Sequence, residues 1–257
     1  MKTIVKSIVC LLIIVLTLSC ALVGCDLGRK LQGIEVKFQK KVEAATQLSF
    51  DLDLSVSSSD GDSRLAVSCY KNGDEYAYTF VDPSNSSVKY RHLYADQCLY
   101  EFVYSEMPLV SKNVGSYYTH RDVPFTDEDN VLYWVTRNIM LATYAALLSS
   151  GQKDKVGDVD TYRYDFRHEG NDYSLWYDDA NLVKVKATFY EQNEAGETTS
   201  ETYTAVFDNY RFGEVDRAPF YRPGEDPDAS LVESPISFEQ WMSILNTFSQ
   251  RAAHWLS

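Results

Sequence analysis

The side chains best suited to chemistry are scattered along this chain. His92, His120, His168 and His254 stand in separate stretches, with no His-x-x-x-His or Cys-x-x-Cys spacing to bring two ligands to one metal ion. No Gly-x-Ser-x-Gly turn and no glycine-rich phosphate loop is present. The paired acids Asp51 and Asp53 alternate with apolar residues, which places them on the wet face of a strand, and Asp178-Asp179 falls in a turn. Asp60-Gly61-Asp62 offers too few oxygens to hold calcium without further ligands. These types and spacings predict no catalytic residue, no metal site and no cofactor.

Covalent chemistry is indicated at one cysteine. Lys2 and Lys6 precede an apolar run, Ile8 to Leu18, of the length of a signal-peptide core, and Leu22-Val23-Gly24-Cys25 follows directly. This tetrapeptide resembles the lipobox of bacterial lipoproteins, with Leu first, Gly before the cut and Cys after it. The resemblance implies removal of residues 1–24 and a diacylglyceryl group on Cys25, and two acyl chains suffice for stable anchoring. An ordinary secretory signal or an uncleaved anchor is the alternative. Cys10 and Cys20 leave with the signal, so Cys69 and Cys98 remain, either as a disulfide or as free thiols. Two predicted strands separate them, which argues against contact.

The 257 residues are 45% hydrophobic, enough for one filled core with appendages. With 19 Tyr and 12 Phe, the composition favours a sheet, because flat rings suit a pleated, half-buried surface. The formal net charge of −13 becomes −15 once Lys2 and Lys6 leave with the signal. Such a surface repels nucleic acid and anionic headgroups, so membrane attachment must come through Cys25.

In the mature chain, residues 25–33 form the lipidated tether, and Ile34 to Gln47 has helical spacing, with Lys37, Lys40, Lys41 and Glu43 on its polar side. Leu48 to Val56 alternates strictly, with Leu48, Phe50, Leu52, Leu54 and Val56 on one face. Arg64–Lys71 presents Leu65, Val67 and Cys69, and Asn72-Gly73 turns into Asp74–Val81. Val88–Ala95, the turn Asp96-Gln97 and Cys98–Ser105 complete an antiparallel meander of five strands, and Tyr117–His120 is a candidate edge strand. After a central apolar segment come Asp160–His168, Tyr173–Asp178, Leu182–Glu191 and Thr199–Phe212. Residues 216–235 are rich in proline and acid and read as an irregular linker. Residues 236–257 form a C-terminal helix with a capping pair at Ser237 and Gln240 and an apolar stripe through Phe238, Trp241, Leu245, Phe248, Ala252 and Trp255.

The central segment, Asp127 to Ser149, either spans a membrane or plugs the sheet. About seven Leu, Ile and Val at roughly −0.5 kcal/mol each are outweighed by Arg137 at about +3 kcal/mol together with Asn138. Strands on both sides favour a plug. The aromatic and aliphatic set Phe50, Leu52, Leu54, Tyr76, Tyr78, Phe80, Tyr100, Phe102, Tyr162, Tyr164 and Phe166, with Trp134 from the central segment, reads as like-facing. It is either the packed core under the central helix or the lining of a cavity for an apolar ligand.

The order of elements resembles the LolA/LolB superfamily, whose relatives include RseB and the LppX-type lipoproteins. Tyr162-Arg-Tyr-Asp-Phe166, Tyr173-Ser-Leu-Trp-Tyr-Asp178, Leu182-Val-Lys-Val185 and Val206-Phe-Asp-Asn-Tyr-Arg211 carry the likeness, which covers roughly residues 34–215. It implies an α+β fold, a half-open antiparallel β-barrel of about 9–11 strands with helices over its concave face. It also implies a non-enzymatic, lipid-anchored module on the extracytoplasmic face of a membrane. The module would bind a lipid, an acylated protein or another hydrophobic ligand, with the aromatic set as its lining. The competing class is an RseB-like tethered sensor with a filled core and a protein partner. The C-terminal helix lies outside the resemblance.

Overall fold

The computed structural model describes residues 37–38, 40–59, 61–81, 83, 86–107, 112–122, 149, 151–192, 196 and 198–234. The signal, Cys25 and its tether, the central segment with Trp134, Arg137 and Asn138, and the C-terminal helix lie outside the described residues.

Among the described residues, alternating sequences pair with their neighbours through tight turns to give twelve strands. They are β1 (Gln47–Ser58), β2 (Gly61–Asn72), β3 (Glu75–Val81), β4 (Val88–Ala95), β5 (Cys98–Met107), β6 (Lys112–Arg121), β7 (Gln152–Val156), β8 (Val159–His168), β9 (Asn171–Tyr177), β10 (Leu182–Gln192), β11 (Thr198–Phe212) and β12 (Ala229–Glu233). All belong to one open sheet in the order β12-β6-β5-β4-β3-β2-β1-β11-β10-β9-β8-β7. Every pairing is antiparallel except β12 on β6, which is parallel. Among the described residues no helix is long and apolar enough to cross a membrane.

Two strands were not expected. β7 lies in a stretch without strand alternation, although Gly157-Asp158 between two valines is a hairpin signal; Gly157 sits at φ 57° and Val156 pairs with Val159. β12 falls in the stretch read as an irregular linker. Its partner is β6, more than a hundred residues earlier, so no local pattern announces it.

Side chains of directly paired residues share a face, so the register divides the sheet into a front and a back. The front carries Leu48, Phe50, Leu52, Leu65, Val67, Cys69, Tyr78, Phe80, Tyr164, Phe166, Tyr173, Leu175, Val185 and Phe207 in one buried cluster. A helical turn at 37–38 and 40–44 adds Phe38 and Val42, with Lys37, Lys40, Lys41 and Glu43 exposed as the periodicity predicts. Phe38 meets Tyr210 edge-on at 5.6 Å, and the Lys41 ammonium lies 3.8 Å above Phe212.

The β1–β11 register slips between Ser49 and Asp51, and Asn209 takes φ 55° there. This bulge puts both Phe207 and Tyr210 against Phe50, at 6.3 and 5.4 Å between ring centres. Asp51 holds it from behind, accepting from Ser68 Oγ at 2.7 Å and Asn209 Nδ2 at 2.8 Å. Asp51 is thus a brace between strands and not merely a wetted acid.

The back of β3–β6 is a second, smaller core of Ala77, Leu93, Ala95, Phe102 and Phe220. Phe220 arrives on a 3-10 turn, Ala218–Phe220. The buried Arg91 guanidinium stacks over Phe102 at 4.0 Å and donates to the carbonyls of Ala218 and Tyr221 at 3.1 and 3.0 Å. Arg222 reaches Glu75 at 2.7 Å and Asp96 at 2.6 Å. The stretch before β12 is therefore clamped to the back of the sheet by two arginines.

Candidate functional site: the front face of the sheet

The front face is not uniform. Over β1–β3 and β8–β11 it is mostly dry: Leu65, Cys69, Leu175, Leu182, Val185 and Ala187 show no exposed surface, while Leu54, Tyr76, Tyr162 and Phe189 are partly buried. Burial pushes the Tyr210 phenol well above its usual range and the Cys69 thiol likewise. Tyr203, buried and near the Glu191 carboxylate, is pushed up to about 12. Over β4–β6 the front positions stay partly open: Tyr90, His92, Tyr94, Leu99, Glu101, Val103, Ser116, Tyr118 and His120 are all of intermediate exposure. At the edge, Val114 is 40% exposed and Val232 on β12 is 65% exposed. Apolar side chains left accessible in this way form an amphipathic floor continuous with the dry core.

The floor contains a polar cluster. Tyr78, His92, Glu101 and Tyr118 are consecutive cross-strand partners on β3, β4, β5 and β6. His120 Nε2 lies 2.8 Å from Glu101 Oε2, where the imidazole N–H donates, and His92 Nε2 lies 4.0 Å from Glu101 Oε1. Phe80 meets the His92 ring edge-on at 5.1 Å, and Tyr118 meets His120 at 4.7 Å. The Glu101 side chain is 14% exposed. Burial lowers the His92 pKa from its ordinary value, opposed by the Glu101 charge and reinforced by His120. Among the described residues no three His, Cys, Asp or Glu are placed to hold a metal ion.

The structure brings most of the expected lining together. Phe50, Leu52, Leu54, Tyr76, Tyr78, Phe80, Tyr162, Tyr164 and Phe166 are in the front cluster or packed against it. Tyr100 and Phe102 are not: they belong to the back core. The reason is the hairpin Asp96-Gln97, with φ 54° and 59° at its two turn residues, which pairs Ala95 with Cys98. That register sets Tyr100 opposite Leu93 and Phe102 opposite Arg91, while Glu101 takes the front position opposite His92. Trp134 lies outside the described residues. Cys69 and Cys98 are free thiols on opposite faces, so no disulfide links them. His92, Glu101 and His120 were missed because they are far apart in sequence, yet the two-residue turn already set His92 against Glu101.

Comparison with known proteins returned no matching family model and no matching curated protein. Solved structures do resemble this chain. A LolA superfamily protein from Nitrosomonas europaea is 12% identical over 76% of this chain and 98% of its own, with a TM-score of 0.30. A DUF1329 family protein from Desulfovibrio piger is 12% identical over 79% and 98%, with a TM-score of 0.29. An outer membrane lipoprotein-sorting protein domain from Vibrio parahaemolyticus is 10% identical over 75% and 97%, with a TM-score of 0.25. At such identities and TM-scores the likeness says nothing of what this chain binds.

Proposed function

We propose that this protein is an extracytoplasmic, lipid-anchored binding module, tethered by Cys25, that receives a lipid or another apolar ligand on the open half of the front face. The sheet then acts as a half-barrel whose dry half supplies rigidity and whose open half supplies the floor. The supporting observation is the run of partly exposed apolar positions over β4–β6 and β12, ending at Val114 and Val232, beside a more deeply buried core. A face of this kind gains by covering apolar area, at roughly 25 cal/mol per Å² removed from water.

The test is extraction of protein purified from membranes, followed by mass spectrometry of what co-purifies. Acyl-bearing molecules in stoichiometric amount, beyond those covalently held at Cys25, are expected; their absence would overturn the reading. The anchor is tested separately. Cys25→Ala is expected to move the protein from the membrane pellet to the supernatant, and a variant that still pellets contradicts the lipobox assignment.

The dense packing around Phe50 favours one alternative, an interaction domain whose core is filled and whose partner is a protein. In that case extraction yields no acyl chain and a protein co-purifies.

A further inference from the structure

We infer that the His92–Glu101–His120 cluster is the head-group subsite of the front face, and that it takes an ammonium group, so that the ligand is a cationic or ammonium-bearing amphiphile. The inference rests on the proposed apolar floor and names the chemistry at its polar end.

Charge selects the class. Among the described residues, Glu101 is the only acid on the front positions of β3 through Phe80, β4 from Val88 to Tyr94, β5 from Leu99 to Ser105 and β6 from Val114 to His120. No Lys or Arg shares those positions. Glu101 is mostly shielded from water, and a carboxylate so placed is costly unless a cation or hydrogen-bond donors meet it. His120 supplies one donor to Oε2 at 2.8 Å, while Oε1 has His92 Nε2 no nearer than 4.0 Å. Burial disfavours a proton on His92, so that imidazole adds no positive charge of its own beside Glu101. A carboxylate has about four acceptor positions, so capacity remains for an incoming donor.

The surroundings match the same class. Tyr78 and Tyr118 flank His92 and Glu101 on the neighbouring strands, and Phe80 stands against His92. Aromatic faces beside one carboxylate are what a primary or quaternary ammonium finds favourable, through charge and ring quadrupole together. An anionic head would meet the Glu101 carboxylate, and among the described residues no Lys or Arg shares those front positions to offset it. Leu99 and Val103, one pleat away on either side of Glu101, begin the apolar path that an alkyl chain would follow.

The test titrates the full chain, held in maltoside detergent, with octyltrimethylammonium, octan-1-ol and octanoate, in wild type and in Glu101→Gln. The ammonium is expected to bind about tenfold more tightly than the alcohol, and the alcohol more tightly than the carboxylate. Glu101→Gln should remove the ammonium preference and leave octan-1-ol unchanged. Three probes that bind alike, or a preference that persists in Glu101→Gln, overturn the head-group assignment while the apolar floor stands. If no probe binds at all, the floor fails and this subsite fails with it. Should Glu101→Gln not fold, imidazole NMR of wild type decides. The His92 and His120 signals should shift with octyltrimethylammonium more than with octan-1-ol while His168 holds still; unmoved His92 and His120 signals overturn the proposal.

Discussion

The two halves of the front face begin from the same kind of strand and end in different states. Over β1–β3 and β8–β11, the central front residues pack into one buried cluster, and the bulge at Asn209 adds Tyr210 to the pair Phe50–Phe207. Over β4–β6 the same alternation places Tyr90, His92, Glu101, Val103 and Tyr118 on the front, and all keep contact with water. The difference lies in what covers them. Among the described residues, the dry half receives Phe38 and Val42 from the helical turn, and charged groups on its front positions, Lys71, Glu191 and Glu201 among them, lie toward the strand ends. The open half carries one carboxylate and two imidazoles, which a dry core would not tolerate at modest cost. Packing is therefore the role of the first half, and exchange with the surroundings the role of the second.

This contrast can be broken from either side. The largest effect is expected in the dry half. Phe50→Ala removes a ring held between Phe207 and Tyr210, and such truncations of buried Phe cost about 3–5 kcal/mol. Chemical denaturation should show that loss; a change below about 1 kcal/mol would mean the dry half is loosely packed.

Alkali should also act on the dry half. Tyr203 is held at about 12, against an ordinary value near 10. Between those values the unfolded chain loses the phenolic proton and the folded one keeps it, so stability is intact below about pH 10 and falls as pH rises toward 12. Denaturation midpoints measured from pH 9 to 11.5 are expected to fall once pH 10 is passed, and a flat profile would contradict the burial of the tyrosines.

Acid should act more gently, and on the open half. His92 has a lowered pKa in the fold, so below the ordinary value near 6.5 the unfolded chain takes up a proton that the folded one resists. The His92 contribution is present above about pH 6.5 and declines as pH falls below it. Comparing wild type with His92→Gln isolates it: the variant should lose less stability between pH 7 and pH 5.5. Parallel curves would remove His92 from the account.

Much of this was legible in the residues. Strict alternation in Leu48–Val56 placed β1, Asn72-Gly73 placed the β2–β3 hairpin, and the run Tyr76, Tyr78, Phe80 is front-facing as its period demands. The turn closes one residue later than the Asn-Gly signal suggests, with Asn72 paired to Glu75. Two things were not read. The face of Tyr100 and Phe102 depends on how β5 registers against β4, and aromatic periodicity alone carries no information about which side of a sheet is which. The parallel docking of β12 depends on Arg91 and Arg222 gripping the chain that precedes it, a contact made across more than a hundred residues. Periodicity reports local structure, whereas the site was assembled by register.

The central claim is that the open half of the front face binds an apolar chain. Val103 lies on that floor, two residues from Glu101 on the same face and partly exposed. Titration of wild type and Val103→Arg with octan-1-ol, alongside their melting midpoints, tests it most directly. The variant is expected to melt within about 2–4 °C of wild type and to lose octan-1-ol binding by tenfold or more. Undiminished binding by a well-folded Val103→Arg would contradict it.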